Sequence, residues 1–251
     1  MALQQKNAAV KTKPTPKISI VGAGGLGGPI ALGLSATLKC DLQIFDPDLI
    51  ELSNLHRQIQ FDTRDIGKPK ASVLAEKLIG RGHPEERVSA FNQEFTEATA
   101  HLIAAPASRG ARQIVIEASD SLETKFTVND ITKSLSIPTV ISALSGYVGH
   151  VFQLFPGSAC YRCLFESVPD ERPTTCATDG VLGPAVGIIA AEAIRLVLDT
   201  LEGSSSGPKG TLSSFGDLRQ NTTPRIIHFS KRPDCTSCSQ TSGSMELRDA
   251  V

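Results

Sequence analysis

A strand-length apolar run, Lys17-Ile18-Ser19-Ile20-Val21, feeds directly into Gly22-Ala23-Gly24-Gly25-Leu26-Gly27-Gly28. This junction constrains the fold more than any other stretch of the chain. An apolar segment of helical character follows from Ile30 to Leu38, and a second apolar run, Leu42 to Phe45, ends at Asp46. The order is strand, glycine turn, helix, strand and acid. Gly22, Gly24 and Gly27 fit the spacing G-x-G-x-x-G, with Gly25 beside them. One glycine permits the tight turn, one lets backbone approach a phosphate, and one lets helix pack on strand. The helix start offers unpaired N–H groups and the positive end of its dipole to an anion. Asp46 stands about 20 residues beyond, where a carboxylate accepts from a ribose hydroxyl. Together these residues point to a bound nucleotide rather than an ordinary glycine-rich turn.

The continuation separates ATP from NAD. Asp46-Pro47-Asp48 is followed by Glu51-Leu52-Ser53-Asn54-Leu55-His56-Arg57-Gln58, and then by Asp65-Ile66-Gly67-Lys68-Pro69-Lys70. Neither segment is a dehydrogenase continuation. Both resemble the ThiF/MoeB/HesA family, bacterial relatives of ubiquitin-activating enzymes, and matching motifs run on to Cys238. The resemblance implies an adenylyltransferase using ATP and Mg2+. Its substrate would be a ubiquitin-like sulfur-carrier protein ending in Gly-Gly, and the enzyme would work as a homodimer; sulfur, if transferred, would come from a separate protein or a small donor.

Composition sets the outer limits. With 251 residues and 40% hydrophobic content, the chain can bury one sizeable α/β core. A net charge of −1 argues against general nucleic-acid binding. No apolar stretch reaches bilayer-spanning length, and Met1 to Lys17 lacks the apolar core of a secretory signal, so a cytoplasmic protein is expected.

Along the chain, residues 1–16 read as a mobile tail, 17–238 as one adenylating domain, and 239–251 as a flexible end. Beyond the first unit, helices are expected over Lys68 to Ile79, Glu94 to Ala104 and Thr124 to Leu135. Strands are expected over Val88 to Phe91, Arg112 to Glu117 and Pro138 to Ser142. After Gly146 the pattern alternates from Val148 to Phe155, which favours antiparallel pairing over another crossover. Pro184 to Leu201 reads as an apolar helix, and Leu212 to Phe215 and Arg225 to Phe229 as late strands. The fold class is therefore α/β: a doubly wound, Rossmann-like, mainly parallel sheet with an antiparallel C-terminal extension.

Four of the six cysteines form two clips, Cys160-x-x-Cys163 and Cys235-x-x-Cys238. Paired clips in a reducing compartment read as a tetrahedral, structural Zn2+ site rather than as disulfides. Cys40, near a strand start, reads as a small buried hydrophobe.

For the chemistry, fixed cations stabilise charge developing on phosphoryl oxygens. By resemblance Arg57 and Lys70 contact the triphosphate, and Asn54 and Gln58 position the nucleotide. By the same resemblance Asp120, at a strand end, is the residue on the magnesium side, although it also sits where a helix N-cap belongs. Asp48 is a second acid near the nucleotide. Cys176, outside both clips, matches a mobile-loop cysteine that in some relatives forms a covalent link to the carrier or carries sulfur; an idle loop cysteine is the plain alternative. Two departures stand out. Ser121 replaces the family's usual asparagine, and no arginine precedes Arg57, where relatives carry one that reaches the partner subunit's ATP. Three rival readings remain: a nicotinamide-dependent oxidoreductase, an adenylating enzyme acting on a peptide or RNA base, and a non-catalytic carrier-binding protein.

Overall fold

The computed structural model describes residues 14–105, 110–168, 181–203, 207–220 and 223–239. The expectations for Cys176, for residues 1–13 of the leader and for residues 240–251 of the C-terminal end lie outside them.

The expected strand–turn–helix–strand unit forms as β1 (Lys17–Val21), α1 (Gly27–Thr37) and β2 (Asp41–Phe45). Next come α2 (Lys70–Ile79), β3 (Val88–Phe91), the single-turn α3 (His101–Ala104), β4 (Gln113–Glu117), α4 (Leu122–Ser134) and β5 (Thr139–Ser145). The antiparallel extension contains β6 (Val148–Leu154), the short α5 (Tyr161–Leu164), α6 (Gly183–Glu202), β7 (Gly210–Phe215), β8 (Arg225–Phe229) and the short α7 (Thr236–Ser239). One eight-stranded sheet runs β3-β2-β1-β4-β5-β6-β7-β8. Pairing is parallel from β3 to β5 and antiparallel from β5 to β8.

Both faces of the parallel part are covered, so its strands are apolar on both sides. Ile18 and Ile20 of β1 pack with Ile30 and Leu34 of α1, Leu74 and Leu78 of α2, and Val186 and Ile189 of α6. On the opposite face Val21, Phe45 and Val115 meet Ile103 of α3 and Val128 and Ile131 of α4. The switch to antiparallel pairing follows from a local turn. Ser145 pairs with Val148, leaving Gly146 (φ +55°) and Tyr147 as a two-residue hairpin loop. Glycine at the first central position suits such a turn.

Helix starts are the main departures from the sequence expectations. α1 begins at Gly27, directly on the glycine turn, and α4 begins two residues before Thr124. The helix expected over Glu94 to Ala104 is instead a 3-10 turn, Glu97–Thr99, and the single turn of α3. Thr96 has extended backbone, and it and Thr99 form a reciprocal capping box, which starts a new turn there and prevents a continuous helix.

Candidate nucleotide-binding site and cysteine cluster

The chain leaves β1 toward β2 and β3 on one side, then crosses to β4 on the other. The carboxyl ends of β1 and β4 therefore flank the reversal point, where open α/β sheets bind ligands. The glycine turn follows β1, and Ser119-Asp120 follows β4. They are in close contact: a Cβ on Gly22 (φ +96°) would lie 2.8 Å from the Ser119 nitrogen. A Cβ on Gly27 would sit 1.8 Å from the Gly22 carbonyl oxygen, so no side chain fits there.

Asp46 braces this turn. Its Oδ2 accepts from the Ala23 N–H at 2.7 Å and its Oδ1 from the Asp48 N–H at 2.9 Å. Burial pushes the carboxyl upward from its ordinary range, while the Ala23 N–H and the Lys70 charge pull it back. Each carboxylate oxygen keeps a further lone pair for a ribose hydroxyl. Lys70 opens α2 but is turned inward and buried, and its Nζ donates to Asp48 Oδ2 at 2.7 Å. Arg57 passes over the turn, its Cγ 3.7 Å from where a Gly25 Cβ would stand. Its Nη1 reaches the Ser53 carbonyl and His56, and among the described residues it pairs with no carboxylate. Asn54 closes a 3-10 turn, and its carbonyl accepts the N–H groups of Arg57 and Gln58. Gln58 is 3% exposed, and its Oε1 has no hydrogen-bond partner among the described residues. An unpartnered buried acceptor beside a glycine turn fits a ligand that brings a donor, and a nucleotide brings ribose hydroxyls and an amino group.

Asp120 is exposed at the end of β4. It is not the helix cap: Ser121 Oγ accepts the Thr124 N–H at 3.1 Å. Serine in place of the expected asparagine therefore caps α4 and leaves the Asp120 carboxylate open to a ligand.

Two features escaped the sequence reading. Beneath Asp120, Lys125 of α4 donates to Glu117, to the Ser119 carbonyl at 2.7 Å and to the Ser142 carbonyl at 2.9 Å. Glu117 is fully buried and also accepts the Ser119 N–H at 2.9 Å and the Ser119 hydroxyl. Burial pushes the Glu117 carboxyl up, and the Lys125 charge opposes the shift. The second feature is Gln60, whose Nε2 donates to the Ala23 and Gly24 carbonyls at 2.9 and 3.0 Å. The sequence signal for Gln60 was only its place two residues after Gln58. The Glu117–Lys125 pair offered an acid and a base eight residues apart, a spacing that means nothing until β4 and α4 are packed together.

The two cysteine clips converge. Cys160 lies 3.9 Å from Cys163 and 3.6 Å from both Cys235 and Cys238, and Cys163 lies 3.6 Å from Cys238, all between sulfurs. All four sulfurs lie within 4.8 Å of one another, far beyond disulfide length. A tetrahedron of thiolates about 2.3 Å from a central ion has edges of about 3.8 Å, so the donor set fits a four-coordinate metal. Asp130 of α4 docks both clips, taking the Arg162 guanidinium through Nε and Nη2 and the Ser237 hydroxyl. Cys40, by contrast, is buried and near no other cysteine among the described residues, its thiol pushed up to about 12 by burial, as expected of a small hydrophobe. No described helix is long and apolar enough to cross a membrane.

Comparison with known proteins agrees with this arrangement. The SAMP-activating enzyme E1 of Haloferax volcanii is 32% identical over 229 residues, covering 89% of this chain and 80% of the relative. The sulfur carrier protein adenylyltransferase of Thermus thermophilus is 33% identical over 243 residues, covering 92% and 85%. Among solved structures, E. coli MccB with ATP superposes with a TM-score of 0.68 at 21% identity, over 89% of this chain and 66% of that one, and it supports the fold alone. The model of the ThiF family matches residues 6–237, and the chain belongs to that family.

Proposed function

We propose that this protein adenylates the C-terminal glycine of a small ubiquitin-like sulfur-carrier protein ending in Gly-Gly, preparing it for thiocarboxylate formation. The observation that carries this reading is the crevice between β1 and β4. Its support is the glycine turn with Arg57 passing over it, the exposed Asp120 after β4, and the Lys70–Asp48 pair next to Asp46, with Arg57 meeting no carboxylate among the described residues. The names of relatives that align over most of their own length supply the substrate class.

In the reaction, a carrier carboxylate oxygen attacks the α-phosphorus of ATP. The new O–P bond forms as the α–β anhydride bond breaks, giving an acyl adenylate and pyrophosphate. Arg57 and Lys70 stabilise charge on the phosphoryl oxygens, and loss of one such fixed donor costs roughly 10²–10³ in rate. Asn54 and Gln58 hold the nucleotide, and Asp46 takes the ribose. Asp120 would hold Mg2+, which would supply charge neutralisation at the phosphates, and Asp48 is a second acid near the nucleotide.

The four cysteines hold a structural Zn2+ that fastens the chain end to α4. Cys176 acts after adenylation, with sulfur coming from a separate donor protein. The working form is a cytoplasmic homodimer, for which the exposed Leu49, Leu52, Ile59 and Ile66 near the nucleotide loop offer apolar surface. Residues 17–238 form the adenylating domain.

Intact-mass analysis of candidate carriers incubated with enzyme and ATP tests the reading. An AMP adduct on carriers ending in Gly-Gly, absent from the same carriers lacking the last glycine, is expected. No adduct on any carrier would leave the binding-protein alternative standing.

A further inference from the structure

We propose that Gln60 is a positioning residue that aims the glycine turn at the nucleotide's phosphates; this inference rests on the nucleotide reading above. In a trans peptide unit the C=O of one residue and the N–H of the next point in opposite directions. The single Nε2 of Gln60 holds two consecutive carbonyls, Ala23 at 2.9 Å and Gly24 at 3.0 Å, the second of which also accepts the Gly28 N–H at 3.1 Å where α1 starts. With both carbonyls drawn to one side, the N–H groups of Gly24 and Gly25 face the other side. Among the described residues neither N–H has an acceptor, whereas the Gly22 and Ala23 N–H groups are already taken by the Phe45 carbonyl and Asp46. The clasp thus sorts the turn: its carbonyls face inward and two adjacent N–H donors are left for an anion, the arrangement that phosphate-binding turns require.

The amide orientation follows from the chemistry. The reverse orientation would set the amide oxygen against two carbonyl oxygens. Gln60 is 4% exposed, and its amide fills space that only glycine at position 28 leaves, since a Cβ there would lie 2.2 Å from Gln60 Cδ. A side chain so enclosed cannot release the turn by changing rotamer without repacking.

The test is calorimetric titration of the full chain with ATP and with adenosine, for wild type, Gln60→Leu and Gln60→Glu. Gln60→Leu removes the donor, and Gln60→Glu removes the amide N–H pair. ATP affinity should fall by about tenfold, the equivalent of roughly one net hydrogen bond, while adenosine affinity is unchanged. Equal losses for ATP and adenosine would mean a merely structural role and overturn the proposal, as would no loss for either. Wild-type protein supplies an independent reading: the NMR amide signals of Gly24 and Gly25 should move on ATP addition and not on adenosine addition. Unmoved signals in protein that binds ATP overturn the assignment of Gln60, whereas wild-type protein that fails to bind ATP overturns the nucleotide reading itself.

Discussion

Lys125→Met tests the buried pair under Asp120. The Lys125 side chain is 3% exposed and that of Glu117 0%. Methionine keeps most of the volume but leaves the Glu117 carboxylate without its countercharge. It also strips a donor from the carbonyls of Ser119 and Ser142. Breaking a buried pair from one side costs about 3–5 kcal/mol, which for a domain of this size lowers Tm by about 6–20 °C. The loss should depend on pH. Burial already raises the Glu117 carboxyl above its ordinary 4.5, and without Lys125 only the Ser119 N–H and hydroxyl oppose that rise. The folded variant then binds a proton that the unfolded chain has released. Its stability is therefore greatest below about 4.5 and falls as pH rises through the raised folded value. Thermal unfolding at pH 5 and pH 8 should show the larger deficit at pH 8. Adding Glu117→Gln to Lys125→Met should abolish that pH dependence, because no carboxyl remains to titrate. A deficit below about 1 kcal/mol, or one equal at both pH values in the single variant, would refute the reasoning.

Other expectations follow from the same contacts. Gly27→Ala places a methyl 1.8 Å from the Gly22 carbonyl oxygen, so the turn must shift; it should cost about 1–3 kcal/mol in chemical denaturation and also weaken ATP binding. Arg57→Ala should leave stability within about 0.5 kcal/mol of wild type while slowing adenylation roughly 10²–10³-fold, since the guanidinium pairs with no described carboxylate. Chelator-treated protein and Cys235→Ser should both lose one zinc per chain in metal analysis. They should also melt earlier, because binding at such sites contributes on the order of 10 kcal/mol to folding. Retained metal in Cys235→Ser, or unchanged melting after metal removal, would contradict the structural role.

The parts of this molecule that could be read in the sequence depend on local pattern. The glycine turn declares itself because tight turns and close approaches restrict residue type, and β3 and β8 occupy the expected spans, Val88–Phe91 and Arg225–Phe229. The cysteine clips declare themselves because ligand spacing follows from coordination geometry. The exchange of capping roles between Asp120 and Ser121 was invisible because both residue types cap helices equally well. Thr96 broke a helix that apolar spacing alone supported, because the hydroxyls of Thr96 and Thr99 offered the backbone a competing capping box. Gln60 and the Glu117–Lys125 pair act through partners that only the packed sheet brings within reach. Asp46 belongs to both categories: its position was predicted from the motif, but its bracing of Ala23 and Asp48 emerged only with the fold.

The most direct test of the function is ATP–pyrophosphate exchange driven by carriers ending in Gly-Gly, with wild type, Asp120→Ala and Cys176→Ala. The account predicts carrier-dependent exchange in wild type, its loss in Asp120→Ala, and its retention in Cys176→Ala. Absence of exchange with every carrier, in folded protein that binds ATP, would contradict it.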